Sequence, residues 1–294
     1  MFTNFCLRNY PPFSMKYILL GVLFFSINNV FWALFSKTEN ALSIIRKRSI
    51  YTSIIFSLIY YTQFGFTLDK INSIRAPALI ITCSFGAAGL YFLVKGFKFG
   101  SIMLFSIYSL LSTILIGLYS FFIEQLFFTV NFTGCFVIII GYCFFAFSRS
   151  NSEKSNFKGH LYFILAQLFF SITLFLEWNL LKEISTLEFV ITQELFILIA
   201  TSILLILNPK KNTGVEQKWY IYFVIAIPIC LAVFFNTKGL QATNPLINAI
   251  INLSTPILTI VIGSYFAKEI LQKKDIISFA VIAFGVFLLL YNKN

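Results

Sequence analysis

Apolar residues fall in ten blocks along the chain, separated by short segments rich in charged, proline or glycine residues. About twenty residues of α-helix cross the hydrocarbon core of a bilayer. Hydrocarbon offers no partner to free backbone groups, so each block is predicted to be a transmembrane helix. The predicted spans are 16–36, 49–66, 77–97, 101–122, 127–147, 159–181, 187–207, 219–239, 245–266 and 276–291.

The polar segment 148–157 (SRSNSEKSNF) divides these spans into two groups of five, and short sequences recur on either side of it. The pentapeptide LFFSI occurs at Leu23 and again 145 residues later at Leu168. Lys95-Gly96 near the end of the third span recurs as Lys238-Gly239 near the end of the eighth. Matches in the same order at nearly constant offset indicate an internal repeat. The remaining matched pairs are Glu124 with Glu269 and Gly141 with Gly285.

An odd number of spans per copy places the second copy upside down in the membrane. Inverted repeats are typical of secondary transporters, whose solute site lies near the midplane between the two copies. The predicted fold is therefore an all-α membrane protein with ten transmembrane helices in two inverted five-helix repeats. Its domains are a first repeat over 16–147, a polar linker over 148–157 and a second repeat over 158–291.

The composition excludes a soluble globule, since 59% of residues are hydrophobic and only 11% are charged, against roughly 25% charged residues in soluble domains. The net charge of +11 would suggest nucleic acid in a soluble protein. Here the basic residues lie mostly at the ends of apolar blocks, where lysines and arginines anchor helices at the interface. The expected partners are membrane lipid and a small-molecule solute, without nucleic acid; no protein partner is identified.

Nothing in the sequence predicts a cofactor. Four of the five cysteines lie inside apolar blocks without a CxxC pair, so neither a metal site nor a disulfide framework is expected. No nucleotide-binding loop is present, which argues against direct ATP drive. The chain is not expected to be an enzyme, because His160 is the only histidine and no HExxH motif or nucleophile elbow occurs.

The second half carries the most specific motif. The segment 238–245 (KGLQATNP), followed by 254–256 (STP) and 268–269 (KE), resembles the second-repeat pattern of the EamA branch of the drug/metabolite transporter superfamily. The first half departs from that pattern, with Phe25-Ser26 where Trp-Gly is common and without a proline in the fourth span. The resemblance implies transport of a small metabolite or drug, such as an amino acid, a sugar or a nucleotide derivative.

The orientation in the membrane has two conflicting indications. An even number of spans puts both termini on one side, where six Lys and Arg residues are predicted against fourteen on the other. The positive-inside rule then places the termini outside the cell. The resemblance implies a multi-pass protein of the plasma membrane with cytoplasmic termini, and we adopt that expectation.

Charged residues inside spans are costly, and each is a functional hypothesis. Lys95 and Lys238 are predicted to bind a carboxylate or phosphate of the solute, the alternative being that they snorkel to the interface. Glu177 and Glu194 are candidate proton-coupling carboxylates. The alternative for both is an ion pair with Lys182 or another basic residue at a helix end.

Asparagines in the spans are candidate solute-binding residues, because an amide both donates and accepts hydrogen bonds. Asn248 and Asn252 are four residues apart and share one helix face. The alternative is that such amides join helices to each other. Two prolines are candidate gating bends, since a proline inside a helix frees a backbone carbonyl. The other asparagines are Asn28, Asn29 and Asn236, and the prolines are Pro228 and Pro256.

The sequence therefore predicts a secondary transporter that works by alternating access, and proton coupling is a hypothesis for its energy source. Two other classes remain open at this stage: an intramembrane transferase, and a channel or structural membrane protein without a transport cycle. The inverted repeat argues against the second of these, and the lack of clustered catalytic residues argues against the first.

Overall fold

The computed structural model describes residues 12–65, 75–122, 132–150, 157–207, 218–266 and 273–291. All regular secondary structure in these ranges is α-helical. The eleven helices are α1 (Pro12–Phe35), α2 (Ala41–Phe64), α3 (Ala76–Phe99), α4 (Ile102–Phe122), α5 (Phe132–Ser150), α6 (Phe157–Leu180), α7 (Thr186–Leu207), α8 (Trp219–Ala242), α9 (Pro245–Asn252), α10 (Ser254–Phe266) and α11 (Lys273–Tyr291).

Within the described ranges, seven segments are long and apolar enough to cross a membrane. They include α1, α3, α4, α6, α7 and α8, and α9 with α10 taken together as Pro245–Phe266. Helix α2, which carries the basic run 46–48, is not among these segments, and the apolar part of α5 is shorter, Thr133–Phe145. The chain is therefore a multi-pass membrane protein, while the count of ten spans stays a prediction.

Helix α2 begins eight residues before the predicted span. Asn40 caps it, because its side-chain oxygen accepts a hydrogen bond from the backbone N–H of Leu42. The basic run at 46–48, predicted to precede the span, consequently lies inside the helix. Arg48 is only 3% exposed, so this arginine faces the protein interior rather than the membrane interface.

The predicted span 245–266 is a broken helix. Pro256 has no N–H to donate to the carbonyl of Asn252, and its ring crowds that carbonyl, so regular α-helix is interrupted at Leu253. At the other end, Asn244 caps α9 by accepting from the N–H of Ile247, with Pro245 in the first helical position. The break places Asn252 at the end of α9.

Helices of the first half pack mainly against helices of the second half: α1 against α8, α2 against α7, α3 against α6 and α5 against α11. Glycines allow the closest approaches. A Cβ at Gly96 would lie 2.5 Å from the ring of Phe163, and one at Gly239 would lie 2.4 Å from the side chain of Ile18. The contacts of α3 with α6 and of α1 with α8 therefore each depend on a glycine, whereas α2 and α7 pack without one.

In the contact between α5 and α11, each helix contributes a glycine that packs against an isoleucine of the other. A Cβ at Gly141 would lie 2.9 Å from the side chain of Ile282, and one at Gly285 would lie 2.7 Å from that of Ile138. Large apolar side chains cover much of the outer surface, for example Leu58 at 60% exposure. Such a surface would be unfavourable in water and suits contact with lipid.

The polar linker predicted at 148–157 is only partly described. Residues 148–150 form the last turn of α5, and Phe157 begins α6. Residues 151–156 lie outside the described residues, as do the repeated glutamates Glu124 and Glu269.

Candidate functional site

A cavity of about 270 Å³ lies between the helices of the two halves. Its described lining comes from α1 to α4 and from α6 to α10, so both halves contribute. The volume is just below the roughly 300–1,000 Å³ of sites for drug-sized ligands, which fits a small solute. Its charged and amide-bearing lining residues are Asn28, Asn29, Arg48, Gln167, Glu177, Gln193, Glu194, Asn236, Asn248 and Asn252.

Three predicted asparagines meet in one hydrogen-bonded triad. The Nδ2 atom of Asn252 donates to Oδ1 of Asn248 at 2.6 Å and to Oδ1 of Asn236 at 3.0 Å. Nδ2 of Asn248 also donates to Oδ1 of Asn236, at 3.2 Å. The triad joins α8 to α9 and lines the cavity at the same time. The structural and the solute-facing interpretations of these amides are thus compatible.

The two asparagines of α1 lie on the opposite side of the break in the α9–α10 segment. Asn29 donates a long hydrogen bond of 3.5 Å to Oγ1 of Thr259. Asn28 is 5% exposed, and its Oδ1 atom accepts no hydrogen bond. Thr255 beside the break also has a buried Oγ1 without a hydrogen bond. Both residues line the cavity. Its described wall therefore holds polar atoms without a hydrogen-bond partner in addition to the amide triad.

A buried ion pair connects α2 with α7 at the cavity wall. The Nη1 atom of Arg48 lies 2.5 Å from Oε2 of Glu194, and the two side chains are 3% and 2% exposed. The hydroxyl of Thr52 donates to the same carboxylate oxygen at 2.6 Å. One carboxylate oxygen of Glu194 is therefore engaged by an arginine and a hydroxyl that both come from α2.

Glu177 in α6 has a different environment. It is 6% exposed and accepts a hydrogen bond of 2.7 Å from the hydroxyl of Thr237 in α8. No lysine or arginine within the described residues pairs with it. Lys182, the predicted partner, instead donates to Oδ1 of Asn179 at 2.8 Å and lies 3.8 Å from the ring centroid of Trp178.

Lys95 and Lys238 are not among the lining residues of the cavity. Each is half-buried between two aromatic rings. Nζ of Lys95 lies 4.6 and 5.3 Å from the ring centroids of Tyr91 and Tyr162. Nζ of Lys238 lies 4.7 and 5.7 Å from those of Tyr17 and Phe234. The structure thus favours cation–π packing between helices over solute binding for these lysines.

The two prolines predicted as gating bends differ in their positions relative to the cavity. Pro256 lines the cavity and follows the break at Leu253. Pro228 lies inside α8, which continues past it as one helix, and does not line the cavity.

Sequence reasoning did not identify Arg48 or Thr237 as site residues. Arg48 belongs to a run of three basic residues, a pattern that equally suits a loop at the membrane surface. The capping asparagine at position 40 was the available signal that the helix begins before this run. Thr237 is one of many hydroxyl residues in apolar blocks, and no local pattern distinguishes it.

Comparison with known proteins found a family whose model matches the second half of the chain. Residues 157–291 match the model of the EamA-like transporter family. The second half of the chain is therefore similar to the proteins of this family. A search of curated proteins found no match.

A likeness in fold covers nearly the whole chain. A solved crystal structure superposes with a TM-score of 0.72 over 95% of this chain and 96% of its own, at 14% identity. Such identity shows a shared fold and no more, but that fold covers both halves. The resemblance of the sequence to the EamA branch is confirmed by the family match over residues 157–291, and that family is described as one of transporters.

Proposed function

We propose that this EamA-like protein is a secondary transporter, which carries a small metabolite or drug across the membrane by alternating access around the central cavity. The observation that carries the proposal is that both halves line this cavity, with buried polar groups on an otherwise apolar wall. Rotation of one half against the other would therefore open the site to either side.

We further propose that all ten blocks span the membrane as inverted repeats over 16–147 and 158–291, joined by the linker 148–157. Reciprocal contacts support this arrangement. Gly96 contacts Phe163 and Gly239 contacts Ile18, with equivalent residues 143 to 145 positions apart. The aromatic pairs around Lys95 and Lys238 repeat at the same offsets.

The proposal assigns different roles to the two buried glutamates. Glu194 holds the halves together through Arg48. Glu177 has a hydroxyl partner but no cation among the described residues, so it is the better candidate for proton coupling. Gaining or losing a proton there changes the charge of the cavity without breaking an ion pair.

The proposed location is the plasma membrane, with both termini cytoplasmic, membrane lipid around the helices and a small-molecule solute as the partner. Cysteine accessibility at Lys37 and Glu183, which lie on opposite sides in the ten-span arrangement, tests this orientation. A membrane-impermeant thiol reagent applied to intact cells should label a cysteine at 37 and spare one at 183. The reverse result would place the termini outside.

Transport is tested by reconstituting the full chain in liposomes and measuring uptake of radiolabelled amino acids, sugars, nucleosides and amines. A carrier gives saturable uptake and counterflow, whereas a channel gives neither. Asn252→Ala should raise the half-saturating concentration about 5- to 150-fold, since one lost hydrogen bond to a ligand contributes about 1–3 kcal/mol. Asn179→Ala, at an exposed asparagine, is the matched control. An unchanged Asn252→Ala protein would remove the triad from the site.

A further inference from the structure

We propose that the cavity selects a small organic cation, a protonated amine on an apolar or aromatic body, and that this cation and a proton compete for the carboxylate of Glu177. The proposal rests on the transport function above and adds the chemical class of the solute and the group that recognises it.

The charges that line the cavity do not balance. Its described lining holds three ionisable side chains, those of Arg48, Glu177 and Glu194. Arg48 and Glu194 neutralise each other in direct contact. Ionised Glu177 therefore contributes one negative charge that no lining residue compensates. A buried charge of this kind is strongly unfavourable unless a proton or a cation joins it.

The described residues of the elements around Glu177 offer no other cation. Helix α8 contributes the hydroxyl of Thr237, and α3 contributes Cys83, a buried thiol within electrostatic reach of both glutamates. Helix α7 contributes Glu194, and α2 contributes Arg48, which that glutamate already engages. The described lining residues of α1, α4 and α9 are neutral. A positive group of the solute is the remaining way to balance an ionised Glu177.

The rest of the wall suits an apolar body. Phe25, Phe105 and Phe170 line the cavity together with several aliphatic side chains. Aromatic faces attract cations, so they favour an ammonium group without requiring another acid. In the asparagine triad, Oδ1 of Asn252 accepts none of the triad's own hydrogen bonds, so this amide oxygen can accept from an N–H donor. The volume of about 270 Å³ limits the solute to a small amine.

Because the cation and the proton compete for one carboxylate, exchanging one for the other conserves charge. When the ammonium group enters, the carboxyl proton of Glu177 leaves to the solvent, and no covalent bond of the solute changes. One monovalent cation replaces one proton, so the charge in the cavity is the same before and after. Lowering the pH therefore weakens binding of the cation, with a limiting slope of tenfold per pH unit for a single proton.

The test uses three probes of one shape and different charge: phenethylamine, 2-phenylethanol and phenylacetate. Affinity for the full-length protein in lipid nanodiscs is measured by calorimetry between about pH 6 and 8, where an alkylamine stays protonated. We expect phenethylamine to bind at least tenfold more tightly than either analogue, to bind more weakly at pH 6, and to release a proton on binding.

Variants assign the effect to Glu177. Glu177→Gln should abolish both the preference for the amine and its pH dependence, while Glu177→Asp, which keeps the charge, should retain both. Glu183→Gln is the control, because Glu183 is 51% exposed and lies outside the cavity lining. The wild-type pH dependence and proton release need no variant, so they test the proposal even if Glu177→Gln fails to fold.

Equal binding of the three probes, tighter binding of phenylacetate, no binding of phenethylamine, or a preference that survives in Glu177→Gln would each overturn the proposal. Liposome flux separates this failure from failure of the transport function. Saturable counterflow of a neutral or anionic solute, without flux of amines, would overturn the cation proposal and leave the transporter intact. Absence of flux for every solute class would overturn the transport function itself.

Discussion

Replacing Arg48 by methionine would leave the carboxylate of Glu194 buried, with the Thr52 hydroxyl as its one remaining hydrogen-bond partner among the described residues. At about 4 Å between charge centres and an effective dielectric constant near 20, the lost attraction is about 4 kcal/mol. Removing one member of a buried pair typically costs about 3–5 kcal/mol, because the other charge stays unpaired. We therefore expect Arg48→Met to lower the free energy of unfolding by about 3–5 kcal/mol.

The double variant Arg48→Met/Glu194→Met should recover most of this loss. It removes both charges and their desolvation cost, and replacing a buried pair by apolar residues is often neutral or stabilising. The Thr52 hydroxyl keeps an acceptor in the double variant, since it also contacts the backbone carbonyl of Ser49 at 3.3 Å. The expected signature is a double variant that is more stable than either single variant.

The assay is reversible unfolding in mixed micelles, with helix content followed by circular dichroism as the denaturing detergent is increased. Arg75→Met is the matched control, because its pair with Glu183 is 38% and 51% exposed and should contribute no more than about 1 kcal/mol. A loss below about 1 kcal/mol for Arg48→Met, or a double variant as unstable as the sum of the single losses, would refute the reasoning.

Two further variants test contacts between the halves. Gly239→Ala should lower the free energy of unfolding by about 1–3 kcal/mol, because its Cβ would lie 3.0 Å from the backbone nitrogen of Ile18, which cannot move aside. Tyr222→Phe removes the hydrogen bond that the phenol donates to the buried carboxylate of Glu39, and should lower it by about 1.5–3 kcal/mol. Both losses are measured by the same unfolding assay.

Each of these variants has a control on the same kind of residue. Gly117→Ala should be neutral or stabilising by up to about 1 kcal/mol, since its Cβ meets only Leu246 at 4.0 Å and alanine favours helix. Tyr265→Phe, at 83% exposure, should change nothing measurable. Equal effects in a variant and its control would show that the contact between the halves is not the cause.

The sequence by itself determined that this is a helical membrane protein, and it indicated the EamA-like family. Apolar block length is a local property fixed by the thickness of the bilayer, so it can be recognised without knowing any neighbour. Where the structure describes the ten predicted blocks, they are helical apart from the break at Leu253, although the basic run before Ser49 concealed the true start of α2. The motif at 238–245 was equally local, and the family match at 157–291 contains it.

Only the tertiary structure decided which polar residues form the site. Arg48 meets Glu194 across 146 positions of sequence, and Glu177 meets Thr237 across 60. Such pairings depend on which helix faces pack together, and the charge of a residue does not report this. For the same reason Lys95 and Lys238, the repeated cations, were plausible solute ligands in the sequence, yet in the fold they lie between aromatic rings outside the cavity.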